Sequence, residues 1–329
     1  MRRTVHVRLV NSKQSMTTNE NPFVSVVIPL YNCEDYVEQT LRSICTQTLD
    51  NIEIIVINDG STDQSLSVVE QVAREESKIK IYSQENKGQS LSRNRGIGLA
   101  TGEYIYFMDS DDILDSDTLE KCYHTCKAQT LDIVCFDAEI LNKENGYQLD
   151  LNYDRSTILK ENNIYTGTEL LETLIEKSGY TPSPCLFLIR KDYLDSIRLR
   201  FFPGIIHEDQ LFTPQLYLQT QRIGYIASPF FKRRIRGNST MTTRFSMRNI
   251  NGYFTVRDEL IAFAKQHPHT KPILDRLLTK MLSAVVWLSY RMKVSDCLKV
   301  AKGCMQKNKR YVPTKEILKM LLKALIRAK

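Results

Sequence analysis

From Phe23 to Ile140 the chain alternates short apolar runs with amphipathic stretches, and this alternation constrains its fold more than any single motif. "FVSVVIPLY" (Phe23–Tyr31) is apolar at nearly every position. Neither face of such a segment suits water, so it reads as a strand covered on both sides. "IEIIVIND" (Ile52–Asp59), "KIKIYSQ" (Lys78–Gln84), "EYIYFMD" (Glu103–Asp109) and "DIVCFDAEI" (Asp132–Ile140) read as further strands. Between them, Glu34–Gln47 carries Val37, Leu41 and Ile44 on one helical face. A second helix follows an N-cap at Ser61 or Thr62, a third spans Ser90–Ala100 and a fourth Leu119–Gln129. This order predicts an α/β doubly wound sheet with right-handed crossovers. Such sheets bind ligands beyond the carboxyl ends of their strands. The polar residues there are Asn32, Asp59, Asn86, Lys87 and Asp109.

With 329 residues the chain can form one large or two modest domains, and 42% hydrophobic and 25% charged residues suit a soluble globular protein. No apolar run approaches the ~20 residues of a membrane span. The eight cysteines are scattered; Cys122 and Cys126 lie four apart with no second pair at zinc-finger spacing, so reduced thiols in the cytoplasm are expected. Residues 1–22 read as a disordered extension: "MRRTVHVRLVNSKQS" is too interrupted for a signal peptide, and Met16 offers a second start. Residues 142–165 are polar and read as a surface excursion. Beyond Arg244 the pattern is helical. The net charge is +7, and from residue 301 onward nine Lys and Arg face Glu316 alone, so the remainder is close to neutral. A nucleic-acid binder would spread its basic charge differently. The tail "VPTKEILKMLLKALIRAK" groups leucines with Lys315, Lys319 and Lys323, a pattern that fits either a membrane surface or a packing helix. Trp287 reads as core.

Several motifs carry chemistry. Asp59 in "VINDGSTD" follows a strand and can accept from a nucleobase N–H or stabilise the Asp-Gly corner. "ENKGQSLSRNRGIGLATG" joins a glycine turn to Lys87, Arg93, Asn94 and Arg95, which suits phosphate, with Arg95 also readable as a solvated helix residue. Its "GIG" lies inside a helix and is no dinucleotide fingerprint. In "YIYFMDSDDIL", Asp109 and Asp111 are two apart; in extended geometry they share a side and could approach one hard divalent ion, though capping or surface acids would look alike. Asp112 could cap the next helix or orient a second substrate. "GIIHEDQLFTPQL" holds the pair Glu208 and Asp209 at a helix start, where acids also suit the dipole. His207 reads as structural.

Taken in order, "VSVVIPLYN", "VINDGSTD", "NKGQSLSRNRGIGLATGEYIYFMDSDD" and "HEDQLF" resemble a family 2 glycosyltransferase of the GT-A fold. The resemblance is close from Phe23 to Asp112 and looser to Thr242. It implies a mixed sheet flanked by helices, with a GT-A domain over 23–243 (nucleotide-sugar half 23–135, acceptor half 136–243) and a helical region over 244–329. It implies inverting transfer of a hexosyl or N-acetylhexosaminyl group from a nucleotide-sugar, usually UDP-linked. The acceptor would be a glycan or lipid-linked glycan of capsule, exopolysaccharide or O-antigen type, with possible contact at the inner membrane face. Carried over by motif, Pro29, Tyr31, Asn32 and Asp59 line the nucleotide site, with Lys87, Arg93 and Asn94 supporting it. Asp109 and Ser110 lie near ribose and metal, and Asp109 and Asp111 hold Mn²⁺ or Mg²⁺. Asp209 is the base beside Glu208. Arg234, Arg236 and Ser239 match an Arg-x-Arg followed by serine that meets leaving-group charge. A sugar nucleotidyltransferase would instead need a glycine-rich basic loop after the first strand, where this chain has "YNCEDY". An inactive binding module of the same fold would have no use for Asp209 as a base.

Overall fold

The computed structural model describes residues 21–143, 152–237 and 242–328. The first strand, β1 (Val24–Leu30), is buried along its whole length, as a run apolar on both faces requires. It pairs in parallel with β2 (Ile52–Asp59) on one side and β4 (Tyr104–Phe107) on the other, and β2 pairs in parallel with β3 (Ile79–Gln84). Helices α1 (Val37–Cys45), α2 (Ser65–Glu75) and α3 (Gln89–Leu99) make the crossovers. The chain thus builds outward from β1 to β3, then returns to the opposite side of β1. That reversal opens a crevice beyond the ends of β1 and β4, where ligands of open α/β sheets bind.

The sheet is mixed rather than wholly parallel. After the two-residue β5 (Ile113–Leu114) and α4 (Thr118–Gln129) come β6 (Ile133–Lys143), α5 (Gly167–Glu176), β7 (Phe187–Arg190), α6 (Lys191–Ser196), α7 (Asp209–Tyr217) and β8 (Ile223–Ile235). The strand order is β3-β2-β1-β4-β7-β6-β8-β5, with β7 antiparallel to both neighbours and β5 antiparallel to β8. The mixed sheet with flanking helices is the expected architecture. Two local expectations differ. Gln64, not Ser61 or Thr62, precedes α2, and Asp63 Oδ1 accepts from Ser65 N at 3.0 Å. Trp287 is not core: it is 37% exposed.

Four helices follow: α8 (Met247–Gln266), α9 (Lys271–Leu288), α10 (Val294–Gly303) and α11 (Thr314–Ala328). Their core includes Leu171 and Ile175 of α5 and Leu211 of α7, so the helical region grows directly from the sheet's own helices. All eight cysteines are free. Among the described residues no helix is long and apolar enough to cross a membrane.

One close approach positions the site. A Cβ at Gly96 would sit 2.2 Å from Val27 Cγ1, so only glycine lets α3 lie this near β1. Gly96→Ala is expected to push α3 outward and cost about 1–3 kcal/mol, the usual penalty of overpacking, read as a lowered Tm.

Candidate active site

The acidic turn after β4 is built from its neighbours. The strand ends at Phe107, and Ser110 and Asp111 lie in a turn. The two aspartates are therefore not held in the extended geometry that their spacing suggests. Asp109 accepts from Arg93 Nη2 at 2.7 Å, and Asp111 accepts from Arg236 Nε at 2.6 Å. Helix α1 and the loop before it fix the turn: Thr40 Oγ1 of α1 lies 3.0 Å from the Ser110 carbonyl and 2.8 Å from that of Asp112, while Cys33 Sγ of the loop donates to Ser110 O at 3.3 Å. Asp112 is buried and accepts from Arg234 N at 2.6 Å. It ties the turn to β8 rather than capping α4. Burial and the nearby Asp111 push its carboxyl well above the usual range.

Arg93 joins this turn to Glu208, the residue before Asp209. Its Nη1 donates to Glu208 at 2.8 Å while Nη2 holds Asp109, and its side chain is only 3% exposed. The guanidinium also lies 5.1 Å from the Phe201 ring centroid. A planar fork with donors on two ends suits this double role, which an ammonium could not fill. Burial alone would raise the Asp109 carboxyl, but Arg93 and Arg233 hold it below the ordinary range, so it stays ionised. Asn94 clamps the same segment, donating to Phe201 O and accepting from Phe201 N, each at 2.8 Å.

At the end of β2, Asp59 is 3% exposed and accepts from Lys87 N at 2.9 Å, Gly88 N at 2.8 Å and Gln84 Nε2 at 2.7 Å. It shapes the turn after β3, with Gly88 at φ 86° opening α3. Asn32, at φ 46°, accepts from Thr62 N at 2.8 Å and so fastens the loop after β1 to the loop after β2. Pro29 is buried in β1; Tyr31 (49% exposed) and Lys87 border the crevice as exposed side chains. Arg234 and Arg236 both lie over the Tyr36 ring, at 4.9 and 5.5 Å, and Arg234 Nε donates to Asp111 O at 2.9 Å. Ser239 lies outside the described residues.

Asp209 begins α7, with Glu208 as the residue before it. Burial first, and then the Glu208 charge, lift the Asp209 carboxyl to about 7. His207, at φ 69°, stacks on Tyr253 at 4.3 Å and bonds Asn249, and burial lowers its pKa to about 4, so it is a neutral structural support. Buried polar atoms without a hydrogen-bond partner include Arg93 Nε, Tyr180 Oη and Thr213 Oγ1. The first belongs to the Arg93 bridge. Thr213 sits one turn beyond Asp209, and the Asp209 charge acts on Tyr180. Unpaired buried donors and acceptors are costly. No sequence signal disclosed Tyr180, which belongs to no motif, and Thr213 lies within "GIIHEDQLFTPQL" with nothing to single it out.

The turn also fits a divalent ion. Asp109 and Asp111 supply hard carboxylate oxygens, with side chains 23% and 18% exposed. Among the described residues no group of three or more acidic, His or Cys side chains forms a protein cage. Mg²⁺-type sites commonly take one or two carboxylates and complete their shell with substrate phosphates.

The family model "Glycosyl transferase family 2" matches residues 25–198, more than half of the chain. The chain belongs to glycosyltransferase family 2. It is 30% identical over 222 residues to the uncharacterized glycosyltransferase YibD of Escherichia coli K12, an alignment covering 67% of this chain and 64% of YibD. It thus spans under two thirds of that relative's length. Among solved structures, Staphylococcus aureus TarS 1–349 in complex with UDP-GlcNAc superposes with a TM-score of 0.61 at 20% identity, covering 93% of this chain and 92% of that one. The mannosyltransferase PcManGT of Pyrobaculum calidifontis, in complex with GDP-Man and Mn²⁺, gives a TM-score of 0.58 at 18% identity, covering 94% and 87%. At these identities the two structures show that this family 2 chain shares their fold.

Proposed function

We propose that this chain transfers a hexosyl or N-acetylhexosaminyl group, with inversion, from a UDP-sugar to a hydroxyl of a glycan or lipid-linked glycan in cell-surface polysaccharide synthesis. The observation that supports this reading is the ion-pair chain Asp109–Arg93–Glu208, which links the acidic turn to the residue before Asp209. A carboxylate titrating near 7 is matched to general-base work at neutral pH.

In this scheme Asp209 takes the proton of the acceptor hydroxyl. That oxygen's lone pair forms the new bond to the anomeric carbon as the bond to the phosphate oxygen breaks, and its electron pair leaves with the diphosphate. Arg234 and Arg236 beside the acidic turn stabilise the growing negative charge. Asp111, with Asp109, would hold Mn²⁺ or Mg²⁺; when bound, the ion neutralises diphosphate charge. The UDP-GlcNAc bound by TarS and the GDP-Man and Mn²⁺ bound by PcManGT support a nucleotide-sugar donor and a metal.

The test is the anomeric configuration of the product, followed by NMR from an α-linked UDP-sugar. A β-linked product is expected; an α-linked one would exclude direct displacement. Two further outcomes follow from the site. Asp59→Ala removes the acceptor of two backbone N–H groups, so UDP affinity measured by calorimetry should fall about 10-fold, the equivalent of one ordinary hydrogen bond. Tyr180→Phe should raise the acceptor KM several-fold and leave UDP affinity unchanged, because the unpaired hydroxyl lies on the Asp209 side.

A further inference from the structure

Helix α11 has two apolar faces, and only one of them is used by the fold. Ile317, Met320 and Ala324 are buried against the helical core. Leu318, Leu322, Leu325 and Ile326 stand 60%, 61%, 52% and 66% exposed. Their spacing of four, three and one places them on a single stripe of the helix. Lys315 lies within that stripe, and Lys319 and Lys323 follow along one edge of it; all three are exposed. Lys323 lies over the rings of Trp287 and Tyr290, 4.5 and 4.2 Å from their centroids, which brings a half-exposed aromatic pair to the same edge. Scattered apolar residues on a surface mean little, but a contiguous stripe with a basic margin does.

We infer that this face of α11 docks on an anionic lipid bilayer. The charge selects the occupant. On α11 itself Lys315, Lys319, Lys323 and Arg327 stand against Glu316 alone, a charge that would repel a second copy of the same helix and that complements acidic headgroups. The leucine stripe then sits at the headgroup boundary with the lysines and aromatics at its rim, as interfacial helices do. The inference does not depend on the sugar chemistry, because none of these residues borders the acidic turn or Asp209.

The chain's single tryptophan, Trp287, provides the readout. Full-length protein is titrated with vesicles of phosphatidylcholine alone or with about 30% phosphatidylglycerol, and binding is followed by tryptophan emission and by co-sedimentation. Emission should shift to the blue, with binding at least about 10-fold tighter to the anionic vesicles and weakened by salt. The triple variant Lys315→Gln, Lys319→Gln, Lys323→Gln should lose most of this preference. Leu318→Ser with Leu322→Ser and Ile326→Ser should lose the blue shift. Both sets lie on the exposed face, so Tm and UDP affinity should stay unchanged. Failure of the wild type to bind anionic vesicles would overturn the inference. So would equal binding to both vesicle types, or concentration-dependent dimerisation that the leucine variant abolishes.

Discussion

Asp209→Asn is expected to lower kcat by about 10²–10⁴ with the Kd for UDP unchanged, because the substitution removes a general base while keeping its shape. The wild-type pH profile should report the same group. Asp209 must be ionised to accept a proton, and burial together with Glu208 places its titration at about 7. The value of kcat/KM should therefore rise with pH through neutrality and level off above it, falling about tenfold per unit on the acid side. Glu208→Gln should move that limb to lower pH, since it removes the like charge that helps lift Asp209. Unchanged turnover in Asp209→Asn would remove this residue from the chemistry whatever its location. Stopped-assay rates across the pH range, with circular dichroism to verify folding, give the measurement.

Arg93→Met is expected to cause a larger loss of stability than any surface change. It leaves Asp109 and Glu208 without the cation that holds both, in a side-chain environment only 3% exposed at the arginine. Breaking a buried ion pair by removing one partner costs about 3–5 kcal/mol. Urea unfolding should show that loss as a lower midpoint with unchanged slope. Arg93→Lys should fail to restore it, because a single ammonium nitrogen lacks the span of the fork, whose Nη1 and Nη2 each hold one carboxylate. A pH signature accompanies the effect. Asp109 is held below its ordinary range in the folded state, so its contribution is present near neutrality and is lost as the pH falls through the acid range. Arg93→Met should flatten that part of the stability curve. A variant as stable as wild type would mean that the bridge is dispensable.

These two residues also show what the sequence discloses and what it hides. Strands β1, β2 and β4 are legible because each is a short run buried on both faces, β3 because its β-prone residues alternate with polar ones at the sheet edge, and α1 because Val37, Leu41 and Ile44 recur at helical spacing. The crevice beyond β1 and β4 follows from that alternation. The two-residue β5 was not legible, since nothing in Ile113–Leu114 marks a strand without its partners Phe231 and Lys232. Arg93 stood out as a basic residue beside a glycine turn, yet its bond to Glu208 spans 115 positions and is set only by the packing of α3 on β1. The Asp109–Asp111 pair was visible as a motif. Its geometry was not, because β4 stops at Phe107 and the pair turns, sending one carboxylate to Arg93 and the other to Arg236. Trp287 looked like core by residue type, but its neighbours on α11 leave it at the surface.

The most direct test of the account is a donor screen, with nucleotide-sugar binding and hydrolysis measured in Mn²⁺, Mg²⁺ or EDTA for wild type and Asp111→Ala. The account predicts metal-dependent turnover of one donor, abolished by EDTA and lost in Asp111→Ala, while the variant keeps its fold. Binding and hydrolysis indifferent to both metal and substitution would contradict it, and would leave the acidic turn as a structural link between β4 and β8.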